Sequence, residues 1–385
     1  MVLSTFRRGY STFTAKVIDV PPRLLSLLFF LLLLFFPVTK PGSGMLQTLT
    51  QYSILAIFAA SWDFLVGRSG QLSLGHALFF GVAAYCTGGL ISHFGLPLWA
   101  TIPLSVLICV LVAFLVGFPC LRVKGPYLAL VTLAFPLILL TIFLGLPSDY
   151  FGAENGITGL PVFFPIERGL DWQVQQRALY QQSIAQYYII LLFLFVSSYI
   201  LYKLAYSKIG IVLVSILDDE VASKASGINT TKYKLMAFAT SGFFGALAGC
   251  LYVHTGHTGS VGLSSLALTQ SFIPIIITIF GGLGTIYGPI AGAYILMFLG
   301  EFVLPEVISS LSGLMTDIGL VSLGQHLKWN ISTWAGSGTS PGLIFMIVVV
   351  VLVIKWPTGI AKSMVDKLGD LEEARELEER EKTKE

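Results

Sequence analysis

Long apolar runs, separated by short polar and charged stretches, recur through most of the 385 residues. A helix of about 20 apolar residues is long enough to cross the hydrocarbon core of a bilayer. Matching each run against its flanking charges predicts about ten transmembrane or partly re-entrant helices. The predicted centres are Leu31, Ile57, Gly81, Leu107, Leu137, Phe193, Ala246, Ile275, Ile295 and Val349. The predicted fold class is an all-α, polytopic membrane helix bundle.

The composition agrees with a membrane protein. Hydrophobic residues make up 55% of the chain and charged residues 11%, whereas a soluble domain carries about 25% charged residues. The net charge is only +2, and the cations form no basic face, so nucleic acid is not an expected partner. The cysteines lie in apolar runs without metal-ligand spacing, and we expect no metal site and no cofactor. They are Cys86, Cys109, Cys120 and Cys250.

Lys and Arg predict the orientation in the membrane. Arg68 follows the second predicted span, and Arg122 and Lys124 follow the fourth. Because cations in short loops mark the cytoplasmic side, both termini are predicted to be cytoplasmic. The run at residues 24–36 could be the apolar core of a secretory signal, but residues 37–40 contain no small-x-small cleavage site. A retained first helix is the favoured interpretation.

The predicted domains are a cytoplasmic N-terminal segment at 1–23, a membrane domain at 24–356 and a charged cytoplasmic tail at 357–385. Within the membrane domain, residues 147–183 form an extracytoplasmic loop and residues 207–234 a cytoplasmic segment. Gly281, Gly282 and Gly284 divide one long apolar run. This pattern predicts a tight hairpin, with a broken or re-entrant helix as the alternative.

Few ionisable residues fall inside the predicted spans, which disfavours a carrier driven by protons or other ions. Asp63 is expected to reach the membrane interface or to bond Arg68. His76 is expected to bond a neighbouring carbonyl at a helix start. Glu301 is placed at the outer end of the ninth span. His254 and His257 share a helical face, but without a third ligand they do not predict a metal site.

Small residues recur at helical spacing in two spans, at Gly242, Gly245 and Gly249 and again at Gly288 and Gly292. Such positions let a neighbouring helix approach closely. Tight helix packing is the simpler interpretation. The same smooth surface could also narrow a conduit to a small solute.

The cytoplasmic segment contains Asp218, Asp219 and Glu220, and acidic residues favour a helix N-terminus. Gly227 suits the end of that helix. A short helix of small residues could insert into a groove on a soluble partner, and a cysteine at Ser223 is expected to crosslink to it. An ordinary connector is the alternative. No Gly-Lys dipeptide occurs in the chain, so a phosphate-binding loop is absent and another chain would have to bind ATP.

Five stretches, in order, resemble the membrane-spanning subunits of branched-chain amino acid ABC importers. The similarity covers about residues 50 to 300. It departs at Leu217 and Asp218, where the family pattern has a basic residue, and residues 302–340 are longer and less familiar. The similar stretches are residues 66–76, 121–135, 154–160, 220–238 and 280–289.

The resemblance implies one half of a solute pathway in the inner membrane of a bacterium or archaeon. Its implied partners are a homologous second permease, two ATPase subunits and an extracytoplasmic binding protein, with membrane lipid around them. The implied substrates are aliphatic amino acids. Urea or short amides are the alternative within the family, and a channel or secondary carrier acting alone is the alternative from another class.

The resemblance also implies roles for individual residues. The residues expected to couple the chain to the ATPase are Asp218, Asp219, Glu220, Ala222, Lys224 and Gly227. The residues expected along the translocation pathway are Ser73, His76, Thr132, Gly245, Gly281, Gly282 and Gly284.

Overall fold

The computed structural model describes residues 21–123, 125–145, 156–166, 171–256 and 259–300, and the single positions 152, 355, 359 and 363. The predicted span at Val349, Glu301, His257 and nearly all of the 357–385 tail lie outside the described residues. Every absence stated below refers to the described part of the chain.

Helices dominate the described residues, with two short strands and two 3₁₀ turns, at Phe36–Thr39 and Leu263–Leu266, between them. The helices are α1 (Pro21–Phe35), α2 (Ser43–Ser69), α3 (Ala77–Phe94), α4 (Leu98–Cys120), α5 (Pro126–Gly145), α6 (Trp172–Ala205), α7 (Lys208–Asp218), α8 (Glu220–Ala225), α9 (Thr230–Val253), α10 (Leu268–Gly281) and α11 (Tyr287–Phe298), and the strands are β1 (Ile157–Leu160) and β2 (Gly259–Val261).

Six of these helices, α2 to α6 and α9, are long and apolar enough to cross a membrane. Nine of the ten predicted span centres fall inside α1 to α6 and α9 to α11, and the tenth lies outside the described residues. The polytopic helical fold class is therefore confirmed. The count of ten spans stays a prediction.

Helix α2 is the centre of the bundle, and 17 of its 27 residues are buried. It packs against α6, α9, α10 and α11. Because α2 runs through the whole bundle, its two ends give a reference for depth. We call the end of the bundle at Ser69 the inner end and the end at Ser43 the outer end.

Two crossings of the bundle are only partly helical, and they pack antiparallel to each other. Followed from outer to inner end, Gly88 of α3 faces Val261 and Gly81 faces Leu266. The Ala77 N–H then donates to Ser271 Oγ at 3.1 Å. The α3 crossing therefore has its irregular part at residues 70–76 on the inner side. The α10 crossing has its irregular part, formed by β2 and the 3₁₀ turn, on the outer side.

The run around the glycine triplet forms a hairpin with one interrupted arm. Helix α10 reaches the inner end, the chain turns at residues 282–286, and α11 returns until Tyr294 meets Ser53, with the two hydroxyls 2.6 Å apart. Gly282 and Gly284 have φ angles of +123° and +78°, which suit glycine. The structure thus combines the two predicted alternatives, because α10 has only 14 residues and a full span needs about 20.

The outer side differs from the predicted loop at 147–183. Helix α6 begins at Trp172, so the last third of that range is helical. Strand β1, within the range, pairs antiparallel with β2, with Ile157 opposite Val261. The first turns of α6 are rich in glutamine, and this polarity made them resemble a loop in the sequence.

The glycines of α9 let other helices approach closely, as predicted. A Cβ added to Gly249 would lie 2.2 Å from the Phe80 carbonyl oxygen of α3, and one added to Gly242 would lie 2.9 Å from the Ala113 Cβ of α4. A backbone contact of this kind cannot be relieved by a side-chain rotation. The packing interpretation of this glycine stripe is therefore confirmed.

We predict that Gly249→Ala destabilises the protein by about 1–3 kcal/mol, because the added methyl group overlaps the backbone of α3. The matched control is Gly89→Ala, since Gly89 is also helical but has no atom within 4 Å of an added Cβ. The control should be neutral or stabilising by up to about 1 kcal/mol. Thermal unfolding in detergent measures both, and equal unfolding temperatures would contradict the close contact.

Candidate functional site

Two predicted pathway residues, Ser73 and His76, lie where the α3 crossing is not helical, and a third, Thr132 of α5, contacts that stretch. The indole N–H of Trp62 donates to the Ser73 carbonyl at 2.7 Å. The Leu74 N–H donates to Thr132 Oγ1 at 3.1 Å. Side chains from α2 and α5 therefore satisfy the backbone of this irregular stretch.

His76 immediately precedes α3 and is fully buried. Its Nε2 is hydrogen-bonded to Ser61 Oγ of α2 at 2.8 Å, and its ring packs 4.9 Å from the ring of Phe58. The predicted bond to a neighbouring carbonyl was wrong, because the partner is a hydroxyl on another helix. A Cβ at Gly245 would lie 3.4 Å from His76 Nε2, so Gly245 leaves the space for this imidazole.

The seven predicted pathway residues form two groups. Ser73, His76, Thr132 and Gly245 surround the start of α3 in the interior. Gly281, Gly282 and Gly284 lie at the inner end, where a Cβ on Gly281 would meet the Gly288 carbonyl oxygen at 1.9 Å. Both groups are closely packed, and the structure does not bring them to one cavity.

Asp63 is buried within the protein near the inner end of α2. Its side chain is 1% exposed, and Oδ1 accepts a hydrogen bond from the Gly284 N–H at 2.6 Å. Arg68, the predicted partner, has its guanidinium 5.1 Å from the centre of the Tyr206 ring. The carboxylate joins α2 to the turn between α10 and α11.

The 207–234 segment contains two short helices, α7 and α8, where the sequence predicted one. Asp219 caps α8, and its Oδ1 accepts from the N–H groups of Val221 and Ala222 at 2.8 and 3.0 Å. Asp218 is instead the last residue of α7. Only Asp219 and Glu220 therefore stand at the start of α8, which corrects the prediction of three acids there.

One face of α8 is fixed against α7. Ser223 is 3% exposed, and its hydroxyl donates to the Ser215 carbonyl at 3.0 Å. The sequence interpretation, which expected a cysteine at this position to reach a partner, was wrong. The opposite face is open, with Val221 76% exposed and Ala222 and Ala225 also exposed.

Helix α8 ends at a glycine in the left-handed region, as expected. Gly227 has φ +84°, and its N–H donates to the Lys224 carbonyl at 3.0 Å. A Cβ at this position would meet no atom within 4 Å. The requirement for glycine here is thus conformational and not steric.

Glu220 joins α8 to α9. Its carboxylate lies 2.8 Å from Lys224 Nζ and 2.6 Å from Lys234 Nζ, and Thr230 donates to it at 3.3 Å. Partial burial alone raises the pKa of Glu220, but hydrogen bonds and charge from Lys224 and Lys234 outweigh it and lower the pKa from 4.5 to about 2. The carboxylate is ionised at neutral pH.

Gln71 continues the connection from α9 to the irregular part of the α3 crossing. Its amide Nε2 donates to the Lys234 carbonyl at 3.0 Å and to Ser69 Oγ at 2.7 Å. Neither Gln71 nor Lys234 was a predicted site residue. A bond between residues 163 positions apart leaves no local pattern, and only the position of Gln71 in the 66–76 motif drew attention to it.

Comparison with known proteins identifies the family. Residues 44–318 match the family described as the branched-chain amino acid transport system permease component. The chain belongs to this permease family. The resemblance seen in the sequence is thereby confirmed over most of the membrane domain.

Relatives with curated names agree with this family. The permease is 30% identical to the high-affinity branched-chain amino acid transport system permease protein LivM of Salmonella typhimurium, over 71% of this chain and 68% of the relative. It is 28% identical to LivM of Escherichia coli over the same shares of both chains. It is 26% identical to the ribose import permease protein RbsC of Haemophilus influenzae, over 67% and 76%. No solved structure matches the permease.

The imidazole of His254 forms hydrogen bonds to two other segments of the permease. Its Nδ1 is hydrogen-bonded to the Pro161 carbonyl at 2.7 Å and its Nε2 to Thr87 Oγ1 at 3.1 Å. Among the described residues, no cluster of three or more His, Cys, Asp or Glu is arranged to hold a metal ion. The imidazole instead joins the end of α9 to α3 and to the segment after β1.

We predict that Glu220→Gln lowers the stability of the permease at pH 7 by about 1 kcal/mol at most, since the pair is partly solvated. The pKa of Glu220 is lowered from 4.5 to about 2. The difference from wild type should therefore be complete above about pH 4.5 and shrink as the pH falls toward 2.

Unfolding temperature against pH is the measurement. Asp218→Asn is the matched control, because Asp218 is exposed and forms no ion pair within the described residues. A Glu220→Gln difference that does not change with pH would contradict the ion-pair contribution.

Proposed function

We propose that this permease forms half of the translocation pathway of an ATP-driven importer of branched-chain amino acids. The family and the names of the LivM relatives support this proposal. The other parts are a homologous second permease, two cytoplasmic ATPase subunits and an extracytoplasmic binding protein. The chain lacks a phosphate-binding loop, so the ATPase subunits supply the energy.

The proposed membrane is the inner membrane of a bacterium or archaeon, with both termini cytoplasmic. Under this orientation the inner end of the bundle faces the cytoplasm, and the 207–234 segment is a cytoplasmic coupling segment. Arg68, Arg122 and Lys234 all lie at the inner end, as cations near cytoplasmic loops are expected to do.

The observation that carries the proposal is the two-sided structure of α8. Ser223 and Glu220 fix one face to α7 and α9, while Val221, Ala222 and Ala225 leave the other free for a partner. A helix held in this way moves as a unit with the elements behind it. We assign this exposed face, with the cap Asp219, the adjacent Asp218 and the terminator Gly227, to contact with the ATPase.

Motion of α8 would reach the membrane interior through short polar contacts. Glu220 binds Lys234 of α9, and the Lys234 carbonyl accepts from Gln71. Gln71 lies near the start of the irregular stretch that contains Ser73 and His76. Because such a stretch can change its backbone angles more readily than a helix, we propose it as the place where the bundle switches between inward- and outward-facing states.

In that cycle, the closely packed groups around His76 and Gly282 would separate to open the pathway. Ser73, Thr132 and Gly245 belong to the first group, and Gly281 and Gly284 belong to the second. These residues are proposed to line or gate the pathway in a conformation more open than the present one.

Aliphatic amino acids are the proposed substrates, and the relative named as a ribose import permease makes another small solute the alternative. Urea and short amides belong to the same alternative. Reconstituted complex should import labelled leucine, and unlabelled isoleucine and valine should compete while ribose and urea should not. If ribose or urea competed and isoleucine and valine did not, the competing compound would indicate the substrate class.

We predict that cysteines at Val221 and Ala225 crosslink to the partner ATPase, because both positions are exposed. A cysteine at the buried Ser223 is the matched control and should crosslink far less. Ala222→Trp should abolish ATPase association and uptake with normal expression, since the added volume enters the contact face. Efficient crosslinking from Ser223 alone, or wild-type uptake by Ala222→Trp, would reassign α8 as a connector.

We predict that Gln71→Leu uncouples ATP hydrolysis from uptake, because leucine has a similar shape but cannot donate to the Lys234 carbonyl. ATPase association should stay normal, and solute imported per ATP should fall several-fold. Leu72→Ala is the control, since Leu72 is 41% exposed and outside these contacts. Equal transport per ATP in wild type and Gln71→Leu would exclude a role for this contact in transmission.

A further inference from the structure

A cavity of about 590 Å³ lies between the inner ends of α4 and α9. None of its lining residues is buried, so it is an open groove on the surface of the bundle. None of its lining residues is a predicted pathway or coupling residue. The residues that line it are Phe114, Phe118, Asn229, Thr231, Lys232, Leu235 and Met236.

The wall of this cavity is apolar and aromatic. Phe114 and Phe118 are four residues apart, so they lie on one face of α4, and they are 41% and 55% exposed. Leu235 and Met236 of α9 lie opposite them. Together they form a surface suited to a hydrocarbon chain.

The end of the cavity toward the start of α9 is polar and positively charged. Asn229, Thr231 and Lys232 are all exposed there. The guanidinium of Arg122 adds a second positive charge, 5.3 Å from the centre of the Phe118 ring. None of the lining residues is acidic, so the cavity has a positive end and an apolar wall.

We propose that this cavity binds one anionic phospholipid from the leaflet at the inner end of the bundle. Its phosphate would lie between Lys232 and Arg122, and an acyl chain would follow Phe118 and Phe114 toward the membrane interior. Basic pockets between transmembrane helices on the cytoplasmic side recognise anionic headgroups in this way. From the inner end of the helices toward the membrane interior, a positively charged surface is followed by an apolar one. An anionic phospholipid has the matching order, a charged headgroup followed by acyl chains.

Lipid binding at this site does not depend on which solute is transported. Only the statement that the leaflet is cytoplasmic rests on the proposed function. A soluble acidic peptide would match the cations but not the exposed phenylalanines. The cavity lies beside α9, the helix that carries Lys234. A lipid bound there would therefore contact the helix that connects the coupling segment to the bundle.

The test is native mass spectrometry of the purified permease released from micelles that contain phosphatidylglycerol or phosphatidylcholine. Wild type should retain one phosphatidylglycerol, and Lys232→Glu should reduce its retention about tenfold, as expected for reversing one cation near a phosphate. Lys232→Gln should give a smaller loss, and it serves as the test if the glutamate variant does not fold. Lys203→Glu is the matched control, because Lys203 is an exposed lysine in the last turn of α6 but does not line the cavity.

Three results would overturn the proposal. One is equal retention of phosphatidylglycerol by wild type and folded Lys232 variants. Another is equal retention of phosphatidylcholine. The third is displacement of the lipid when the second permease or the ATPase assembles, because a protein partner would then be the occupant.

Discussion

Backbone polar groups in a bilayer have no water to bond, so every crossing that leaves the helical form needs partners from within the protein. The α3 crossing meets this requirement with side chains. Trp62 bonds the Ser73 carbonyl, Thr132 accepts from Leu74, and Ser271 accepts from Ala77. Helix α2, at the centre of the bundle, supplies the first of these groups, and α5 and α10 supply the other two.

Much of the fold could be predicted because it depends on local composition. Apolar runs of sufficient length located nine helices, and flanking glycines marked the hairpin between α10 and α11. The irregular stretches at residues 70–76 and 259–267 were not predicted, although both contain glycine and serine. The contacts that stabilise them join residues up to 194 positions apart, and no periodicity along the chain records such a pairing.

In the candidate site, too, local features were predicted from the sequence and contacts between distant residues were not. The acidic start of α8 and its end at Gly227 were predicted because preferences at helix ends depend on a few adjacent residues. Ser223 was placed on the wrong face because α7 was not predicted, and without α7 the chain offers no surface to bury it. Gln71, Lys234 and Ser271 were not predicted, because their hydrogen-bond partners are distant in sequence.

The bond between Asp63 and Gly284 has a consequence for the order of biosynthesis. Its two residues are 221 positions apart, so α2 enters the membrane long before its partner has been translated. A carboxylate without a partner in the bilayer is costly, and until the turn after α10 arrives it must remain near water or a chaperone. Insertion of the α10–α11 hairpin thus completes the inner end of α2, and chains truncated before Gly284 would present a recognisable defect to membrane quality control.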